Sequence, residues 1–214
     1  MRGFKKAVAI LMICILMFTS CEEPDRTYDE KEVTAAAEEL LKKAEILNTV
    51  YYGEGIHYLV TSYQNGVYYE ADAFHLQKLG FNSIAELQNL TRSTFTESYS
   101  ELLFSTKLEP LTVDDQVITL ARYYQVYDED SGEPLYIMVH SKYTSIYDGL
   151  MEFKYSTLKA VGSKKETVFV EVDTVVKNRD GESQDRTLSV SLIEENYGWR
   201  IDSVCFQNFI ENEK

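Results

Sequence analysis

The longest helical pattern in the chain lies near its N-terminus. Apolar residues recur at intervals of three and four from Val33 to Tyr51, which is the spacing of one helix face. Asp29, with Glu32 three residues later, is typical of a helix N-terminus, and Gly53 is a stop signal. The pattern therefore predicts an amphipathic helix of about 20 residues.

Two more helices are predicted before the chain turns to strands. Ser83, with Glu86 three residues later, repeats the capping pattern, and apolar residues at helical spacing follow up to Phe95. A shorter helix is predicted from Thr96 to about Phe104. The helical part of the fold is therefore expected to lie in the first half of the chain.

The hydrophobic period changes to two at about Val117, which predicts strands for the rest of the chain. An earlier short strand pair is predicted within residues 55–73, because Asn65-Gly66 is a preferred hairpin turn. Neighbouring strands lie so close in sequence that they must pair antiparallel, since a parallel pair needs a crossover of about a dozen residues. The later strands are predicted over 118–127 and 135–140, and around Phe153, Val170, Val190 and Trp199.

Helices followed by strands with one polar face predict an α+β fold. We expect the N-terminal helices to pack on the apolar face of a curved antiparallel sheet, in a single domain over residues 29–210. Cys205 lies in the last strand pattern and is predicted to be a buried, unreactive thiol.

Residues 1–20 resemble the signal peptide of a bacterial lipoprotein. A basic start precedes an unbroken apolar run over 7–18, and Cys21 follows shortly after. The run is too short for a bilayer, which needs about 20 residues. The resemblance implies cleavage before Cys21, lipid on its thiol, a tether over 21–28 and an extracytoplasmic position on the cell membrane. Ordinary secretion with an unmodified Cys21 is the alternative.

The charge balance narrows the range of partners. The chain contains 21 basic and 35 acidic residues and has a formal net charge of −14. This balance opposes binding to nucleic acid and favours either a basic partner or a solvated surface without a partner. The sequence contains no phosphate-binding loop, nucleophile elbow, Cys-x-x-Cys or His-Glu-x-x-His motif. It therefore implies no cofactor, no metal site and no catalytic residue.

Acidic residues concentrate in one predicted turn of the sheet. Asp128, Glu129, Asp130 and Glu133 are candidates for binding a positively charged partner, because a rigid sheet can present loops as contact surfaces. The same pattern is also typical of a loop tip that is only solvated.

A second candidate site combines carboxylates with tyrosines. Tyr68 and Tyr69 precede Glu70 and Asp72, which face one side if the segment is extended. A carboxyl group with a raised pKa beside a tyrosine occurs in acid–base enzymes. Such a pair is expected in a pocket between helix and sheet, where a ligand binder would hold its ligand. Strand propensity explains the 16 tyrosines of the chain equally well.

The order of helices and strands resembles the cystatin-like or NTF2-like superfamily. Residues 51–53 (Tyr-Tyr-Gly), 81–87 (Phe-Asn-Ser-Ile-Ala-Glu-Leu) and 94–96 (Thr-Phe-Thr) resemble, more narrowly, the secreted inhibitors of peptidoglycan DL-endopeptidases. The resemblance implies a protein that binds, and inhibits, a cysteine hydrolase of the cell wall. A ligand-binding lipoprotein and an isomerase- or lyase-like enzyme are the alternatives.

Overall fold

The computed structural model describes residues 27–64, 67–113 and 116–210. The signal segment with Cys21 and the Asn65-Gly66 turn lie outside the described residues. The helices of the described part are α1 (Glu30–Tyr51), α2 (Ala73–Leu79), α3 (Ile84–Arg92) and α4 (Glu97–Lys107). Its strands are β1 (Tyr58–Gln64), β2 (Tyr68–Ala71), β3 (Leu111–Val113), β4 (Gln116–Thr119), β5 (Tyr123–Tyr127), β6 (Pro134–His140), β7 (Met151–Lys164), β8 (Thr167–Lys177), β9 (Ser183–Glu195) and β10 (Gly198–Ile201).

The long N-terminal helix is confirmed, and its first turn is capped as its sequence predicts. The Asp29 carboxylate accepts hydrogen bonds from the backbone N–H groups of Lys31, at 2.8 Å, and Glu32, at 3.2 Å. These bonds satisfy donors that a helix N-terminus leaves without partners. None of the helices in the described part of the chain is long and apolar enough to cross a membrane.

The two later helices are also confirmed, with shifted ends. The Ser83 hydroxyl accepts from the Glu86 N–H at 3.2 Å, so α3 begins where the capping pattern predicts. It ends at Arg92 and not at Phe95, because Thr96 already caps the next helix through the N–H of Tyr99. The short helix α2 is not among the helices that the sequence predicts.

The strands form two four-stranded antiparallel sheets and one two-stranded sheet in the described part of the chain. The first sheet has the order β1-β2-β6-β5, and the second has the order β10-β9-β8-β7. Antiparallel pairing is therefore confirmed, but the expectation of one continuous sheet over the long helix is wrong. β6 pairs with β2 and not with β7. In this pairing Tyr68 is opposite His140 and Glu70 is opposite Met138.

The strand predicted over 118–127 is interrupted. β4 ends at Thr119 and β5 begins at Tyr123, with Leu120–Arg122 between them. Arg122 leaves the strand pattern because its side chain is buried and donates from Nη2 to the Gly53 carbonyl at 2.7 Å. A contact with the distant end of α1 thus overrides the local alternation.

One main cluster of buried side chains joins α1 to both sheets. Alternate residues of β8 and β9, such as Val170 and Val190, face this cluster, and Tyr123 and Ile137 reach it from the first sheet. The opposite face of β8 is half-exposed, as expected for an antiparallel sheet with one solvated side. The described residues form a mixed α+β fold, and their sheets are not closed.

Cys205 is buried, as the sequence predicts. Its carbonyl accepts a hydrogen bond from the Asn48 side chain at 3.0 Å, which ties the chain after β10 to helix α1. Burial raises the pKa of the Cys205 thiol to about 12, so the thiol stays protonated at neutral pH. The residue therefore has the environment of an inert core thiol.

Candidate functional site

The acidic turn forms the end of the β5–β6 hairpin and has a fixed backbone. The Asp128 carboxylate accepts from the N–H of Ser131 at 2.8 Å, from the Ser131 hydroxyl at 2.9 Å and from the N–H of Asp130 at 3.1 Å. The backbone N–H of Gly132, at a φ of 72°, donates to the Asp128 carbonyl. These bonds, led by the one from the Ser131 N–H, lower the pKa of the Asp128 carboxyl group. The turn therefore keeps both its shape and its charge at neutral pH.

Two large apolar side chains flank the acidic turn. Tyr127 is 57% exposed and Leu135 is 54% exposed, and they stand at the ends of the strands that carry the turn. Glu129, Asp130 and Glu133 are exposed beside them. We call residues 127–135 the hairpin tip. It combines several negative charges with apolar area, which is a composition suited to contact with another molecule.

The hairpin tip is held by hydrogen bonds to the rest of the molecule. Gln125 accepts from the Ile84 N–H at 3.0 Å and donates to the Tyr136 carbonyl at 2.9 Å, which joins the hairpin to the start of α3. At the base of the hairpin, the buried Tyr123 hydroxyl donates to the Val50 carbonyl at 2.7 Å. Hydrogen bonds thus connect the hairpin that carries the tip to α1 and α3.

The tyrosine and carboxylate candidates of β2 have local structural contacts. The buried Tyr68 hydroxyl donates to the Ala121 carbonyl at 2.6 Å, and Tyr69 stacks on Tyr58 with ring centroids 4.9 Å apart. The Asp72 carboxylate caps α2 by accepting from the Phe74 N–H at 2.9 Å. These bonds occupy the Tyr68 hydroxyl and one carboxylate oxygen of Asp72.

The fourth of these candidates, Glu70, lies on β2 opposite Met138 and is half-buried. All four candidates lie on one short segment, which runs from β2 to the residue before α2. The pocket was expected between helix and sheet, whereas the Tyr68 hydroxyl bonds a carbonyl in the connection between β4 and β5.

A carboxylate–tyrosine pair occurs instead between α1 and β7, and sequence reasoning missed it. The Tyr155 hydroxyl donates to the half-buried Glu45 carboxylate at 3.2 Å. Burial raises the pKa of the Glu45 carboxyl group, while the bond from Tyr155 opposes that rise. The only local signal was a glutamate next to the apolar stripe of the long helix.

Two histidines form a second missed arrangement near α2. The rings of His57 and His75 stack with their centroids 3.8 Å apart, and the backbone N–H of His57 donates to His75 Nδ1 at 2.9 Å. Burial and then the neighbouring His57 lower the pKa of the His75 imidazole. In the described part of the chain, no group of three or more His, Cys, Asp or Glu side chains is suited to a metal ion.

The histidine stack predicts that stability falls in acid. The folded state lowers the pKa of His75, so the unfolded chain takes up a proton first as the pH drops below about 6.5. The stability that the neutral ring contributes is therefore complete above that pH and is lost as the pH falls toward the folded-state pKa. His75→Asn keeps an acceptor at the place of Nδ1, and we expect it to flatten the decrease in unfolding free energy between about pH 7 and pH 5.

Urea unfolding at several pH values measures this slope. His140 also has a pKa that burial lowers, so His140→Asn should flatten the slope as well, and it measures how much of the pH dependence arises away from the stack. An unchanged slope in His75→Asn would show that the stacked pair does not sense pH. The titratable groups whose fields act on His75 are those of His57, Asp72, Lys78 and Glu54, and all four are retained in the variant.

One cleft among the described residues has a volume of about 700 Å³. It lies between the end of α3, the first turn of α4 and the β9–β10 hairpin, and its lining includes Arg92, Arg200 and Tyr197. Sequence reasoning did not single out these residues, because they are far apart in the chain.

Comparison with protein-family models, with curated proteins and with solved structures found no match for this chain.

Proposed function

We propose that this protein binds a protein of the bacterial cell envelope through its hairpin tip and restrains a peptidoglycan DL-endopeptidase by covering its active-site cleft. The single observation that carries the proposal is the fixed acidic turn between the exposed side chains of Tyr127 and Leu135. A preformed loop loses little conformational freedom on binding, which favours affinity.

The charges of the hairpin tip support a partner with a basic surface around its binding cleft. Asp128, Glu129, Asp130 and Glu133 extend the negative charge of a chain whose formal net charge is −14. Opposite charges on two proteins raise the association rate, and salt weakens this effect. Tyr127 and Leu135 supply apolar area that charge alone does not provide.

The envelope location rests on the resemblance of residues 1–20 and Cys21 to a lipoprotein signal, in a segment outside the described residues. The inhibitor family rests on the resemblance of residues 81–87 and 94–96. An inhibitor of this kind needs no catalytic group of its own, since it acts by occupying the enzyme's cleft. The cystatin-like or NTF2-like form of the fold belongs to the same proposal.

Neutralising the hairpin tip is the decisive test. We expect the triple variant Asp128→Asn, Glu129→Gln and Asp130→Asn to inhibit peptidoglycan hydrolysis by a purified DL-endopeptidase about tenfold less well than the native chain. The side-chain amide introduced by Asp128→Asn still offers an oxygen to the Ser131 N–H, so the turn keeps its bonds while its charge is removed. The measurement is the rate of peptide release from cell walls at low and at high salt.

The control variant removes three charges from other exposed turns. This triple variant combines Glu166→Gln at the β7–β8 turn with Asp180→Asn and Glu182→Gln at the β8–β9 turn. It is expected to leave inhibition unchanged. Equal loss in both triple variants would mean that net charge, and not the hairpin tip, governs binding. Absence of inhibition by the native chain would refute the proposed restraint of the hydrolase.

A further inference from the structure

The cleft beside the β9–β10 hairpin has an unusual mixture of groups for an exposed surface. Two guanidinium groups, of Arg92 and Arg200, share it with three carboxylates, of Glu97, Glu194 and Glu195. Its volume of about 700 Å³ lies within the range of small-molecule sites. Tyr197 and Asn196 form the turn at its rim.

Arg200 is held rigidly without a carboxylate partner. Its Nε donates to the Arg92 carbonyl at 2.9 Å and its Nη1 donates to the Trp199 carbonyl at 2.7 Å. Among the described residues it forms no ion pair, although three carboxylates line the same cleft. Two backbone bonds thus fix the guanidinium and leave Nη2 free to donate toward the cleft.

Arg92 is fixed in a different way. Its Nη2 contacts the Glu101 carboxylate at 3.0 Å, and its guanidinium lies 4.8 Å from the centre of the Phe104 ring. Glu195 is held as well, because it accepts from the Glu97 N–H at 3.1 Å at the start of α4. The side chains of Arg92, Arg200 and Glu195 are therefore preorganised.

Tyr197 presents its ring to solvent. It is 90% exposed, at a turn in which Gly198 has a φ of 108° and pairs with Glu195. An exposed aromatic ring beside a polar cleft gains no stability from burial in the folded chain. It is, however, a flat apolar platform that a ligand can cover.

The groups in the cleft exclude several classes of ligand. An anion would meet three carboxylates, and a cation would meet two guanidinium groups. A purely apolar molecule would remove the hydration of all five charged groups without replacing their hydrogen bonds. A neutral molecule that both donates and accepts hydrogen bonds, and that has an apolar face, avoids all three penalties.

We propose that this cleft binds a neutral oligosaccharide. A pyranose ring places its C–H face on the Tyr197 ring. Its hydroxyl or acetamido oxygens accept from Arg200, and its hydroxyl hydrogens are donated to the Glu195 carboxylate. This site is separate from the hairpin tip and does not depend on the proposed inhibition.

The test uses the β-1,4-linked tetramer of N-acetylglucosamine and the full-length chain, in a detergent without a sugar headgroup. Isothermal titration calorimetry measures the binding, because the ring of the one tryptophan, Trp199, is buried against α1 and would not report directly on the cleft. We expect saturable binding with a dissociation constant of about 1 mM for the native chain. Tyr197→Ala should weaken binding by about tenfold or more.

Two further variants distinguish recognition from damage to the fold. Phe74→Ala removes an exposed aromatic ring from α2, outside both proposed sites, and should bind the tetramer as the native chain does. Arg200→Gln should also weaken binding of the tetramer. Urea unfolding should give Tyr197→Ala the same free energy of unfolding as the native chain. Absence of saturable binding by the native chain, or equal affinity in Tyr197→Ala, would overturn the proposal.

Discussion

Gly55→Ala is expected to lower the free energy of unfolding by about 3 kcal/mol or more. Gly55 has a φ of 83°, which side chains rarely adopt. A Cβ atom there would lie 2.5 Å from the Tyr123 hydroxyl oxygen and 3.0 Å from Arg122 Cζ, and it would also overlap Arg122 Nη2. Both side chains are buried and hydrogen-bonded, so they cannot move aside freely.

Gly80→Ala is the matched control for this prediction. Gly80 has the same φ of 83°, but a Cβ atom there would meet nothing within 4 Å. The change should therefore show only the backbone strain of about 1 kcal/mol, and the loss of chain entropy in the unfolded state is the same in both variants. Urea unfolding of the two variants gives the difference, and equal destabilisation would show that the junction around Gly55 is loosely packed.

The close packing at Gly55 joins α1 to the first sheet. Arg122 donates to the Gly53 carbonyl, and the Tyr123 hydroxyl donates to the Val50 carbonyl while it accepts from the Ile56 N–H. These bonds satisfy groups at the end of a helix that has no basic residue in its last turn. Burial lowers the pKa of the Arg122 guanidinium and raises that of the Tyr123 hydroxyl to about 12.

Leu41→Ala is expected to lower the free energy of unfolding by about 3 kcal/mol. Leu41 lies on α1 within the main buried cluster and is 0% exposed. Removing its side chain takes away apolar area and leaves a cavity between the helix and the second sheet, which the surrounding strands cannot fill. The change should also reduce the melting temperature, and urea unfolding gives the free energy directly.

Leu102→Ala on α4 is the control, because Leu102 is 54% exposed. It should change the stability by less than about 0.5 kcal/mol. A small effect at both positions would contradict the picture of α1 as the centre of the core. A large effect at Leu102 would instead reveal a contact that the folded chain makes through its exposed surface.

The sequence determined those elements whose signals are local. The start of α1 at Asp29 and of α3 at Ser83 follow from side chains that bond the first N–H groups of their own helices. The alternation along β8 and β9 follows from the period of an extended chain with one buried face. Close spacing along the chain was also enough to predict antiparallel pairing.

Only the tertiary structure decided how the strands are divided between two sheets. The pairing of β6 with β2 joins residues such as His140 and Tyr68, and no local period specifies a contact across that distance. The interruption before Tyr123 has the same origin, since Arg122 bonds the end of α1. The strand pattern favours a single continuous meander, because strands that are neighbours in sequence usually pair.

The candidate sites show the same division between residues that the sequence predicts and residues that only the folded structure brings together. The acidic turn over 128–133 is contiguous, so composition alone identified it, while its exposed flanks Tyr127 and Leu135 required the structure. The Glu45–Tyr155 pair and the cleft of Arg92 and Arg200 join residues that only folding brings together. Periodicity records which face of its own element a residue occupies, whereas a site between elements depends on long-range packing that leaves no local trace.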